Sequence, residues 1–171
     1  MGGFFGVVSR DDCVADLYYG TDYHSHLGTM RGGMAVYNSQ GITRFIHDIT
    51  NAQFRSKFED DLPKLMGSTG IGVISDYDDQ PLIIRSHHGA YAIVTVGRLD
   101  NLDDLVESAL KRGAHFSEMS GEEASPTQVV ANLVDHADTL VDGFSASQDA
   151  FTGSCSILVL ADHGVYAARD L

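Results

Sequence analysis

Residues 70–96, GIGVISDYDDQPLIIRSHHGAYAIVTV, contain three apolar runs, 70–74, 82–84 and 91–96, parted by turn-forming Asp, Pro, Ser and Gly. Short runs rich in Val, Ile and Tyr and bounded by such residues predict strands. Three strands in succession with no helix between them point away from a βαβ alternation. Upstream, residues 34–37 and 42–46 flank NSQG and predict a hairpin. A helix is expected over 52–62, with Phe54 and Phe58 one turn apart and Pro63 limiting it. The first nine residues, MGGFFGVVS, read as a strand. Asp11 or Asp12 is placed to cap a helix through Val14, Leu17 and Tyr18 that stops at Gly20, and residues 24–33 follow as a loop.

Downstream, Asp100 or Asn101 caps a predicted helix with Leu102, Leu105, Val106, Ala109 and Leu110 facing inward and Gly113 just past its end. Ser125 before Pro126 is a second helix start, and Val129, Val130, Leu133, Val134, Ala137 and Leu140 keep helical periodicity after it. A short helix near 144–151 and a hairpin of residues 154–160 and 165–168 around ADHG complete the order. The fold class is α+β, helices packed on mostly antiparallel sheets, in a single domain over residues 1–171.

The chain carries 11 Lys and Arg against 24 Asp and Glu, a formal net charge of −13. An acidic surface lacks the basic face that phosphate contacts require, which argues against nucleic acid and an anionic membrane as partners. With 43% hydrophobic and 20% charged residues the chain has the composition of a folded protein. It contains no apolar run of membrane-spanning length, and its apolar amino-terminal stretch reads as too short for a signal peptide and without the basic flank of one. Cys13 and Cys155 form neither a disulfide framework nor a metal or redox motif, so a cytoplasmic location is expected.

Five segments in order carry a resemblance. They are the opening Gly2, Gly3, Phe4, Phe5 and Gly6; LYYGTDYHSHLGTMRGGMAVY (17–37); GSTGIGVISDYDDQPL (67–82); AYAIVTVGRLDNLDDL (90–105); and GSCSILVLADHGVYAARD (153–170). Together they resemble the glutaminase domain of class II glutamine amidotransferases, above all that of the glutamine phosphoribosylpyrophosphate amidotransferases. The resemblance implies the amino-terminal-nucleophile (Ntn) hydrolase fold, a four-layer αββα sandwich. It also implies a role in purine nucleotide biosynthesis, a homo-oligomer, and a parent chain continuing beyond Leu171 into a phosphoribosyltransferase domain, this chain being truncated at its C-terminus.

In that family the nucleophile is an amino-terminal Cys whose own amine is the base. Gly2 stands at its place here. The family's oxyanion-stabilising Asn aligns with Val96, whereas Gly97 is kept. The two arginines that suit a glutamine carboxylate align with Leu27 and Ser75, and the Asp that suits its ammonium aligns with Pro126; Gly28 is kept. Residues that shape backbone are retained and residues that bind or react are lost, so the reading is a pseudo-glutaminase with no intact catalytic residue, no cofactor and no metal. Two alternatives stand beside it. Activity survives through Cys13 or the Gly2 amine, although Asp11 and Asp12 would raise the Cys13 pKa. Or the altered pocket, more apolar at Leu27 and Val96, holds a glutamine-like or other small molecule.

Other clusters have plainer readings. Asp22, His24 and His26, or His87 and His88 with Asp76 or Asp78, have metal-ligating chemistry but read as solvated loop groups. Arg31 is either a replacement for a lost arginine or a surface ion pair. Cys155 reads as a small core residue, and the acidic runs 59–61, 76–79 and 103–104 as solvated faces and turns.

Overall fold

Apolar side chains on both faces of the central strands require cover on both sides, and the chain supplies it with two sheets and two helical layers. The computed structural model describes residues 2–28, 30–117, 119–120 and 123–169. Met1, Asp170 and Leu171 lie outside the described residues, and with them the end of the 153–170 motif.

The first sheet has the order β1-β4-β2-β3, made of β1 (Gly3–Val8), β2 (Arg31–Asn38), β3 (Gly41–Asp48) and β4 (Thr69–Ser75). The second is ordered β10-β9-β6-β5, made of β5 (Leu82–Ser86), β6 (Gly89–Leu99), β9 (Gly153–Ala161) and β10 (Gly164–Ala168). Every pairing is antiparallel. A two-stranded ribbon, β7 (Met119–Ser120) with β8 (Glu123–Ala124), had no sequence signal long enough to read.

Side chains alternate across each strand, and this sorts them into three cores. Ala35, Ile71 and Val73 of the first sheet face Ala92, Val94, Leu158 and Leu160 of the second, closing the sandwich. On the outer face of the first sheet, Met34, Val36 and Ile74 pack against α1 (Val14–Tyr23) and α2 (Phe54–Phe58). On the outer face of the second, Tyr91, Ile93, Ile157 and Val159 meet α3 (Leu102–Lys111), α4 (Pro126–Val134) and α5 (Leu140–Ala150). The result is the expected αββα order.

Several local expectations are corrected. Helix α1 does not stop at Gly20 but runs on to Tyr23. Gly20 instead lets the Phe5 ring lie against the helix, where a Cβ would collide with it. The 52–62 segment is a single turn of α-helix, α2, followed by a 3₁₀ turn, Leu62–Lys64, that contains Pro63. The periodic run 129–140 is two helices. It breaks after Val134, and Thr139 starts α5 by accepting a hydrogen bond at Oγ1 from the Asp142 N–H at 3.1 Å. Leu110 of α3 faces solvent, half exposed, while Leu105 and Ala109 are buried.

Candidate functional site

At one end of the sandwich the carboxyl end of β4, the carboxyl-terminal half of β6, the start of β9 and the first turn of α4 converge beside Gly2. A cavity of about 520 Å³ opens between them. Gly2, Ser75, Val96, Gly97 and Pro126, five of the positions singled out in the sequence, line it together. Around them stand Ile74, Thr95, Arg98, Ser154 and the loop residues Asp76, Tyr77, Asp78 and Gln80. Leu27 and Gly28 are set apart. Leu27 ends an exposed 3₁₀ turn, Ser25–Leu27, and Gly28 borders a separate open groove with Asp22, Ile49 and Arg55.

Backbone geometry fixes two of the glycines. A Cβ on Gly2 would lie 2.5 Å from the Ile74 carbonyl oxygen, so a side chain at this point requires the backbone to shift. Gly97 has φ +154° and sits opposite Cys155 in the β6–β9 ladder, where a Cβ would press on the Cys155 Cα at 2.6 Å. Both the torsion and the close approach favour glycine.

The cavity floor is a polar network that sequence reading did not find. Gln80 reaches across to β6, where its Oε1 accepts from the Thr95 N–H at 2.7 Å and its Nε2 donates to the Thr95 carbonyl at 3.2 Å. The hydroxyls of Thr95 and Thr127 bond at 2.6 Å. Asp78 Oδ2 accepts from the Ser125 hydroxyl at 2.8 Å and from the Thr127 N–H at 3.2 Å. Ser125 Oγ in turn accepts from the Gln128 N–H and caps α4. Asp78 is 95% buried, which overturns its reading as part of a solvated acidic run. Its Oδ1 is buried with no hydrogen-bond partner among the described residues. The available signals were Gln80-Pro81, a motif element with no role attached to it, and Ser125 before Pro126, read only as a helix start.

Neither cysteine lies among the residues lining the cavity. Cys13 is fully buried at the start of α1, and burial, reinforced by Asp12, pushes its thiol up to about 11. Cys155 is buried within β9 in the core under the helices. The remaining candidates are engaged elsewhere. Arg31 pairs with Asp48 at 2.6 Å and Asp79 at 2.8 Å on the surface. Asp22 pairs with Arg55 at 2.7 Å, and the rings of His24 and His26 bond to the carbonyls of Gly20 and Tyr23. His87 bonds to the Ala137 carbonyl and lies tilted against the His88 ring at 3.8 Å, and neither is among the residues that line the cavity with Asp76 and Asp78. Asp61, also read as solvated, is buried. Burial works to raise its pKa, but hydrogen bonds from Lys64 and His47 outweigh this and hold the carboxyl below its usual range. Among the described residues no helix is long and apolar enough to cross a membrane.

No family model matches the chain. It is 24% identical to an amidophosphoribosyltransferase of Synechocystis sp. over 98% of its own length and 35% of the relative's. It is 24% identical to an amidophosphoribosyltransferase of Methanocaldococcus jannaschii over 99% of its length and 38% of that protein's. The chain thus spans little more than a third of the curated relatives it matches. Among solved structures, glutamine phosphoribosylpyrophosphate amidotransferase from B. subtilis, complexed with ADP and GMP, superposes with a TM-score of 0.85 at 24% identity, covering 99% of this chain and 37% of that one. A structure described as the allosteric regulatory enzyme of purine biosynthesis superposes equally well at 23% identity, again covering 99% of this chain and 37% of that one. The fold is therefore that of the class II glutamine amidotransferase domain, and over nearly all its length the chain resembles the glutaminase part of the phosphoribosylpyrophosphate amidotransferases.

Proposed function

We propose that this chain is the glutaminase-like domain of an amidophosphoribosyltransferase-type protein and that it does not hydrolyse glutamine. Hydrolysis on this fold needs a thiol to attack the amide carbon, an amine to take the thiol proton, and donors for the oxyanion; deleting one such donor costs about 10² to 10³ in rate. The observation that carries the reading is a cavity bordered by Gly2 with no thiol among the described residues of its lining. Val96 has no side-chain donor, and the Gln80 amide is committed to the Thr95 carbonyl. A displaced Cys13 nucleophile is disfavoured because the thiol is buried in the fold and its raised pKa keeps it protonated. A cytoplasmic location, a homo-oligomer and an attached phosphoribosyltransferase domain using free ammonia belong to the same reading.

The test is ammonia release from L-glutamine. The protein and its Gly2→Cys variant are both expected to match buffer alone, because the 2.5 Å approach of Ile74 leaves the new side chain misplaced and Val96 supplies no donor. Turnover by the unaltered protein would overturn the proposal.

A second reading is favoured by one observation: the reactive positions carry inert residues, yet the cavity has not been filled and still measures about 520 Å³. This is the size range of small-molecule sites. On that reading the domain binds a ligand without transforming it.

A further inference from the structure

We infer that the cavity takes a small primary amine lacking a carboxylate, with Asp78 as the residue that holds its ammonium group. The inference rests on the ligand-binding reading above. The charges around the cavity carry it first. Asp78 lines it, and among the described residues the cation in the lining is Arg98, 86% exposed at its side chain and paired with Asp100 at 2.9 Å. Among the described residues no buried cation stands in the lining to meet a ligand carboxylate, and desolvating such a charge unpaired is strongly unfavourable.

Asp78 supplies the second and independent observation. Its Oδ2 already offsets the positive end of α4 by taking the Ser125 hydroxyl and the Thr127 N–H. Its Oδ1 is buried and has no hydrogen-bond partner among the described residues, in a residue that lines the cavity. A buried acceptor without a donor costs the desolvation of that atom and calls for a physical explanation. An ammonium entering from the cavity provides one. Gln80, bonded twice to Thr95, braces the loop that carries Asp78, so the carboxylate is held in place before the ligand arrives.

The test uses the intact chain and three probes of matched shape, read by thermal shift and calorimetry at neutral pH. They are 4-aminobutanamide with an ammonium only, L-glutamine with both charges, and 4-carbamoylbutanoate with a carboxylate only. Binding is expected to fall in that order, with 4-aminobutanamide about tenfold or more tighter than glutamine and the carboxylate probe not bound. Asp78→Asn keeps an oxygen for Ser125 and Thr127 but removes the charge; it should lose about tenfold or more in affinity for the amine. Its far-ultraviolet dichroism and melting curve establish that it is folded. The inference is overturned if glutamine or 4-carbamoylbutanoate binds as tightly as the amine, if folded Asp78→Asn binds the amine unchanged, or if none of the probes binds at millimolar concentration. Ammonia release is a separate readout, so turnover would overturn catalytic silence while these affinities decide the amine site.

Discussion

At the scale of single residues, Cys13 shows how burial decides chemistry. The same side chain that sequence inspection offered as a nucleophile is sealed at the head of α1, and its pKa is raised from 9.0 to about 11 first by burial and then by Asp12. Because the folded value lies above the unfolded one, the neutral thiol contributes stability that is fully present below pH 9 and is lost as pH rises through about 11. The difference in unfolding free energy between the protein and Cys13→Ala, measured by denaturant titration, should therefore narrow across that interval. Alkylation of native Cys13 near neutral pH should be slow until the chain unfolds.

At the scale of elements, α4 is the piece on which the cavity depends. Ser125 and Pro126 announce its start in the sequence, and the structure shows Ser125 Oγ accepting the Gln128 N–H at 3.2 Å and donating to Asp78 at 2.8 Å. One hydroxyl thus both caps the start of the helix and holds the carboxylate of a distant loop. Removing it by Ser125→Ala should cost about 1 kcal/mol for the cap, with a further about 1 kcal/mol for the second oxygen of Asp78 losing its hydroxyl donor. Chemical denaturation checks the sum. A loss below about 0.5 kcal/mol would mean that the Thr127 N–H alone satisfies Asp78.

At the scale of the whole molecule, stability is shared between two sheets that meet through a thin layer of small and branched side chains. Ala35, Ile71 and Val73 from one and Val94, Leu158 and Leu160 from the other leave little room to collapse around a void. Ile71→Ala, at a fully buried position in this layer, should therefore cost about 2 to 5 kcal/mol. The helices on both outer faces should be lost in the same transition, as coincident fluorescence and dichroism curves would show. Separate transitions would mean that the two sheet–helix halves are independently stable.

Local patterns determined much of this. The apolar runs of residues 70–96, the hairpin around NSQG, the Ser125-Pro126 helix start and the Gly113 stop are set by side-chain periodicity and backbone preference over a few residues, so they are legible along the chain. So was the absence of a reactive side chain at Gly2. What only the tertiary structure decided depends on partners distant in sequence. Gly20 is inside α1 because Phe5 packs there, Asp78 and Asp61 are buried because α4 and the His47–Lys64 pair receive them, and Gly2, Ser75, Val96, Gly97 and Pro126 share a cavity that leaves out Leu27 and Gly28. A run of acidic residues looks alike on paper whether solvent or a helix end faces it. Burial is a property of the packed assembly, and no stretch of residues carries it alone.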